Sequence, residues 1–239
     1  DLYDYDGLKI YQYEDKFKFS LDSILLAEFV ELKANARVIV DFCTGNAPVP
    51  LILSTKTNAK LYGFELQQNI YKLAKLSVVE NNLESQINIV NDNLTNALEY
   101  LLPESVDAVT CNPPYFKYDE SNKINDSIEK QIARHELCIN IDEICSCASK
   151  ILKDNGKLCI VHRTDRFTDV YDAMKKYRIE PKRIKFIYNN EESQAEMFLI
   201  EGQKNAGTGL IIDKPLLVRN LDGSYSDEYK KLQEEILVW

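Results

Sequence analysis

The sequence is short of several things, and each shortage removes a class of protein. No run of about 18 apolar residues occurs, so no segment reads as a membrane-spanning helix. The first residues show no basic-then-apolar segment, so no signal peptide is expected. The chain starts at Asp1 without a methionine, and a few preceding residues are expected to be missing from it. Cysteine pairs in CxxC spacing are absent. Of Cys43, Cys111, Cys138, Cys145, Cys147 and Cys159, most sit in apolar surroundings, where cysteine acts as a small hydrophobe. Reduced thiols in a cytoplasmic protein are the expectation. Only two histidines occur, His135 and His162, without ligand spacing to any cysteine pair, and no metal is expected. The eight glycines never form G-x-G-x-x-G, so the dinucleotide fingerprint is missing. Excess positive charge is lacking too: 29 basic against 38 acidic residues leave −9, which argues against indiscriminate nucleic-acid binding.

What is present is regular alternation. Leu2 to Tyr13 alternates apolar and polar residues around Asp6-Gly7, a hairpin signal. Phe17 and Phe19 extend the pattern, and Ser20 or Asp22 then caps a helix carrying Ile24, Leu25, Ala27, Phe29 and Val30. Short buried strands follow at 37–41, 61–65, 87–90, 106–111 and 157–162. Helical patterns separate them around 49–53, at 67–82, up to Leu101, and at 141–152, where Asn155-Gly156 supplies a stop. Residues 117–125 read as an irregular polar loop and 128–135 as a helix. Asp165 is expected to cap a helix running to Lys176. Strands at 183–188 and 196–201 have no helix between them and are expected to pair antiparallel, and a short helix begins near Tyr225. This order predicts an α/β fold, a doubly wound, mostly parallel sheet with an antiparallel terminal pair plus an N-terminal β-hairpin. The chain reads as one domain, 1–239, with 1–33 as a hairpin-and-helix extension and 34–239 as the core with its C-terminal tail.

Ligands of such sheets bind beyond the carboxyl ends of the strands. Asp41, Glu65, Asp92 and Asn112 stand at four successive ends, an accumulation that packing alone does not explain. For each acid taken singly, a helix cap or a solvated side chain is the alternative. Asn112 opens the run Asn112-Pro113-Pro114-Tyr115-Phe116. The prolines fix φ and remove backbone donors, so nearby carbonyls stay available as acceptors. Asn112 adds a side-chain oxygen, and Tyr115 and Phe116 add flat faces. A planar group bearing an NH2 suits such a loop; a plain turn is the alternative.

Asp41-Phe42-Cys43-Thr44-Gly45-Asn46-Ala47 resembles the nucleotide-binding turn of class I S-adenosylmethionine-dependent methyltransferases, in which Gly45 lets the backbone approach a ligand. The usual pattern has glycine where Cys43 and Ala47 stand. The resemblance implies a Rossmann-like methyltransferase sheet, S-adenosylmethionine as cofactor, Glu65 on the ribose hydroxyls and Asp92 on the adenine amine. It implies a cofactor set of Asp41, Cys43, Gly45, Glu65, Asp92 and Asn112, with Phe19 and Ser20 closing over the methionine end. Asn112-Pro113-Pro114-Tyr115 matches the Asp/Asn/Ser-Pro-Pro-aromatic motif of amino-methyltransferases. By that match, Asn112, Pro113, Pro114 and Tyr115 form the catalytic group, and Tyr115 and Phe116 stack on the target ring.

Residues 17–27, 41–50, 133–136 and 204–217 are similar to the bacterial tRNA(Val) adenine-N6 methyltransferase family. That family's target is the adenine just 3′ of the anticodon (position thirty-seven) of a valine tRNA. DNA-modifying relatives carry a target-recognition domain and glutamine methyltransferases an N-terminal helical domain, and neither is expected here. An N6-adenine enzyme acting on rRNA or DNA, or a catalytically weak RNA-binding module, remains as the alternative. RNA contacts are expected at Arg134, beside His135, and in the basic stretch of Lys175, Lys176, Arg178, Lys182, Arg183 and Lys185, read as a phosphate-binding patch. A solvated helix end and strand edge is the other reading of that stretch. His162 reads as a satisfied rim or core histidine. Both a monomer and a weak dimer stay open.

Overall fold

A computed structural model describes residues 2–5, 7–12, 21–114 and 140–234. Its sheet is laid down in chain order as β3 (Val38–Phe42), β4 (Lys60–Phe64), β5 (Ile87–Val90), β6 (Val106–Cys111), β7 (Leu152–Arg163), β8 (Ile179–Tyr188) and β9 (Ala195–Lys204). The spatial order is β8-β9-β7-β6-β3-β4-β5. Strands β5, β4, β3, β6 and β7 pair in parallel, and β9 runs antiparallel to both β7 and β8. Two short strands the periodicity did not reveal, β10 (Ile211–Ile212) and β11 (Leu216–Leu217), pair in parallel along the outer edge of β8. The separate N-terminal hairpin pairs β1 (Leu2–Tyr5) with β2 (Leu8–Tyr11), and Gly7 supplies the positive φ of its turn at 72°.

Helices cover both faces, which is why the parallel strands read as continuous apolar runs. Along β3 the side chains alternate: Ile39 joins one core cluster, and Val40 and Phe42 join the other. The first cluster includes residues of α1 (Leu21–Phe29), α2 (Pro48–Lys56) and α3 (Gln68–Glu80). The second includes residues of α4 (Ile141–Ile151), α5 (Phe167–Lys176) and a 3-10 helix at Leu94–Glu99. Helix α1 therefore shares the main core.

Two local expectations shift. Helix α4 starts from a capping box at Asn140 and Glu143. It passes directly into β7, whose register slips between the pairs Val106–Leu152 and Ala108–Lys157. Asn155 (φ 59°) and Gly156 belong to that bulge, and a Cβ on Gly156 would lie 2.8 Å from the Lys153 carbonyl oxygen. Asp165 does not cap α5: it lies inside a 3-10 turn, Thr164–Arg166, that precedes the helix. Among the described residues, no helix is long and apolar enough to cross a membrane.

Candidate active site

Strand β3 ends in the turn 43–47, and three of its residues are left-handed: Cys43 (φ 56°), Gly45 (φ 58°) and Ala47 (φ 71°). Only Gly45 adopts this freely; for the other two the conformation costs roughly 1–2 kcal/mol each. The turn thus keeps a glycine-type path with cysteine and alanine at two of its corners. Hydrogen bonds hold it there. Thr44 N donates to the Phe64 carbonyl (3.0 Å), Ala47 N to the Thr44 carbonyl (3.0 Å) and Gly45 N to Glu65 Oε2 (3.0 Å). Asn46 Nδ2 donates to the Tyr11 carbonyl (2.9 Å), tying the N-terminal hairpin to the same turn. Pro48 then opens α2 at a position where its missing N–H costs nothing.

Asp41 is placed differently from the expectation. Strand β3 runs one residue past it, so Asp41 sits one step inside the sheet and only 3% exposed. Its Oδ2 accepts from Thr44 Oγ1 and its Oδ1 from Thr110 Oγ1, both at 2.6 Å. Asp41 clamps the turn from beneath, both oxygens accepting from hydroxyls of the protein. Burial lifts its pKa from 3.8 to about 7, although Thr110 and Thr44 oppose the shift; the nearby Glu65 charge adds to it. A raised acid pKa favours the protonated native state, so this contribution is fully present below about pH 4 and is lost as pH climbs through about 7. The span corresponds to about 4 kcal/mol. Asp41→Asn, which keeps the shape without the charge, is expected to flatten stability between pH 5 and 8 and to exceed the native chain at pH 8. Urea unfolding of both proteins across that range checks this.

Gly63 on β4 faces the clamp. A Cβ there would come within 2.8 Å of Thr44 Oγ1, 2.9 Å of Thr44 Cγ2 and 3.0 Å of Ile89 Cδ1. Gly63→Ala is expected to push Thr44 off Asp41 and lower stability by about 1–3 kcal/mol. Thermal melts read the loss, and a retained melting temperature would show that Thr44 can move away freely.

Glu65 and Asp92 occupy the neighbouring strand ends. Glu65 is 6% exposed, with Oε2 accepting from Gly45 N and Oε1 from Gln67 N (2.8 Å) at the start of α3. Burial raises its pKa against the pull of these bonds. Half-buried Asp92 accepts from Asn93 N (2.7 Å) and Asn96 Nδ2 (2.9 Å) on Oδ1, and from the Tyr100 hydroxyl (2.9 Å) on Oδ2. Desolvation pushes this carboxyl up, but the bonds from Asn96, Tyr100 and Asn93 outweigh it and hold it below its ordinary value. The Tyr100 ring meets Phe64 edge-on at 5.7 Å, which anchors that hydroxyl.

Asn112 follows the last residue of β6, with Pro113 buried and Pro114 exposed. Its Nδ2 donates to Ser23 Oγ on α1 at 3.1 Å. At about 4.8 Å per strand, the β6 end lies roughly 10 Å from the β4 end that carries Glu65. Asn112, Glu65, Asp92 and the 43–47 turn therefore share one rim. Tyr115, Phe116, Arg134, Phe19 and Ser20 lie outside the described residues. His162 behaves as expected: its Nδ1 accepts from Arg163 N (2.8 Å), and burial holds the imidazole down to about 4, hence neutral.

The basic stretch is not brought to this rim. Strand β8 lies three strands from β6, roughly 14 Å across the sheet. Lys182 Nζ donates to the carbonyls of Gly207 and Thr208, Lys185 pairs with Glu228, Lys175 with Glu180 and Lys176 with Asp142. Arg183 is drawn inward, between Glu31, Glu201, Asp213 and the Phe29 ring. Lys175 thus pairs with its near neighbour Glu180, whereas Lys176, Arg183 and Lys185 pair with acids distant in sequence. The site residues that sequence reasoning missed are Ser23, Thr44, Gly63 and Thr110. Only Gly63 carries a signal, because glycine inside a strand marks a close approach.

Known proteins resemble this chain in sequence and in fold. A protein from Bacteroides fragilis named tRNA1(Val) (adenine(37)-N6)-methyltransferase is 25% identical over 240 residues, covering 91% of this chain and 90% of its own. One of the same name from Porphyromonas gingivalis is 24% identical over 245 residues, covering 98% and 94%. Among solved structures, a predicted O-methyltransferase from Agrobacterium tumefaciens superposes with a TM-score of 0.72 at 17% identity, covering 92% of this chain and 98% of that one. A geranyl diphosphate methyltransferase in complex with SAM has a TM-score of 0.56 at 9% identity, covering 76% and 84%. These superpositions show the fold. The family model for the methyltransferase small domain matches residues 18–179, from the approach to α1 through the five parallel strands β3–β7 and the rim they end in, and the chain belongs to that family.

Proposed function

We propose that this chain transfers a methyl group from S-adenosylmethionine to the exocyclic N6 of an adenine in tRNA, at position 37 of a valine tRNA. The carrying observation is Asn112 with Pro113 on the same rim as Glu65 and Asp92. The names of the relatives support the tRNA substrate and, with it, a cytoplasmic setting.

The residues present fit the cofactor. Each Glu65 oxygen accepts one N–H and keeps a further lone pair, which suits two ribose hydroxyls. Asp92 accepts three donors, and a carboxylate has about four lone-pair sites, so one remains for an amine. A Cβ at Gly45 would meet nothing within 4 Å, so the turn leaves open space beside Glu65. Held by Glu65, Asp92 and the 43–47 turn, S-adenosylmethionine would supply the methyl group, an N–C bond forming as a C–S bond breaks and the amine proton leaving to solvent.

The chain's own contribution is acceptance. An adenine amine has its lone pair delocalised into the ring. The Asn112 carbonyl and the Pro113 backbone carbonyl each accept one N–H, which favours pyramidal nitrogen and stabilises the positive charge that develops there. No strong base is required before attack. An adenine in an anticodon loop is already unpaired, so presenting it costs less than flipping a base from a duplex.

Tritiated methyl transfer to total tRNA, rRNA and genomic DNA tests the reading. Label in tRNA is expected, and label confined to rRNA or DNA would contradict it.

A further inference from the structure

We infer that Ser23 is a positioning residue for Asn112, an inference that rests on the methyl-transfer reading above. Helix α1 turns Ser23, Leu25, Leu26, Ala27 and Phe29 inward. Ser23 is the polar member of that buried set, 6% exposed against 0% for Leu26 and Ala27. A hydroxyl buried on an apolar face needs a partner. Here it accepts a hydrogen bond from Asn112 Nδ2 at 3.1 Å, across 89 residues of sequence.

That bond holds the amide in one plane, and the plane matters for what its two ends can face. A primary amide has an acceptor end and a donor end of nearly the same shape, and a half-turn about its last bond exchanges them. Acceptance from the target amine requires the carbonyl end to face it. The flipped amide would set N–H against N–H. In this arrangement the nitrogen end donates to Ser23 Oγ on α1, which holds the plane of the amide and leaves the carbonyl end directed away from the helix. Pro113, buried next in the chain, fixes the backbone of the same loop but has no hold on this side-chain rotation. Helix α1, expected from the sequence to be part of an N-terminal extension, thereby belongs to the apparatus that orients the acceptor.

The experiment uses the full chain with Ser23→Ala, Ser23→Thr, Asn112→Ala and the Ser23→Ala/Asn112→Ala double variant, assayed on transcribed valine tRNA. Loss of one hydrogen bond that orients the acceptor is expected to lower kcat about tenfold in Ser23→Ala, equivalent to about 1.4 kcal/mol. KM for tRNA, cofactor affinity by calorimetry and Tm are expected to stay near the native values. Ser23→Thr, which retains the hydroxyl, is expected to recover most of the rate. In the Asn112→Ala background, Ser23→Ala is expected to change nothing further. A native kcat in Ser23→Ala, a rate loss accompanied by an equal loss of Tm and cofactor affinity, or an undiminished Ser23 effect without Asn112 would overturn the inference alone. A native chain that methylates no RNA would overturn the functional reading and this inference with it.

Discussion

Replacing Asn112 by alanine is expected to cut methyl transfer by about a hundred- to a thousandfold, the usual consequence of removing one preorganised group that stabilises developing charge. Cofactor affinity and stability should hardly change. The side chain is part-buried, and Glu65 and Asp92, proposed to grip the ribose and the adenine of the cofactor, stand at the ends of other strands. The expected signature is therefore a fall in kcat at constant cofactor dissociation constant. Calorimetry and single-turnover kinetics separate the two. Substantial activity in Asn112→Ala would mean that the Pro113 carbonyl accepts alone, or that the amine is held elsewhere.

The second large effect concerns stability. Arg183→Ala is expected to lower stability by about 3–5 kcal/mol, the cost of removing one partner from a buried charge cluster. The Arg183 side chain is 17% exposed, and its Nη2 donates to the Phe29 carbonyl at the end of α1. The guanidinium carbon lies 4.1 Å from the centre of the Phe29 ring and Nη2 lies 3.6 Å from Glu201 Oε2. Glu201 is 4% exposed and would keep only Lys157, at 3.0 Å. For a chain of this length the loss corresponds to about 10 °C in Tm. Arg183→Lys should rescue little, since a lysine offers neither the planar fork nor the stacking face. If Arg183 were instead a phosphate contact, Arg183→Ala would leave the melt unchanged and weaken tRNA binding.

Arg183 also shows where a sequence stops being readable. In the chain it stands beside Lys182 and Lys185, and local counting finds only Glu180 against them. Its partners come from positions 31, 201 and 213, brought in by the segment after α1, by β9 and by the segment after β10. Charge compensation across a sheet has no local signature. The same holds for Ser23, whose partner is 89 residues away, and for Thr110, which reaches Asp41 only because β3 and β6 pair in that register. Strands β10 and β11 are two residues each, too short for any period to register.

Where the determinant is local, the reading holds. β5 and β6 fall at 87–90 and 106–111 as expected, because β-branched runs bounded by turn residues are read directly. The antiparallel β8–β9 pair follows from the missing helix between them. Glu65 reaches the rim because β4 ends at Phe64, one residue before it. Asp41 lies one residue inside β3, since Phe42 extends the strand past it, and there its two oxygens clamp Thr44 and Thr110. Cys43 and Ala47 depart from the glycine pattern, yet their φ values of 56° and 71° keep the turn's path, which composition alone could not reveal.

The most direct measurement is nucleotide-resolution mapping of methylation on a complete tRNA pool incubated with the chain and S-adenosylmethionine. The account predicts N6-methyladenosine at one adenine, 3′ of the anticodon of a valine tRNA, formed at least about a hundredfold more slowly when Asn112 is alanine. Methylation at a ring nitrogen, at many unrelated positions, or persisting undiminished without Asn112 would contradict it.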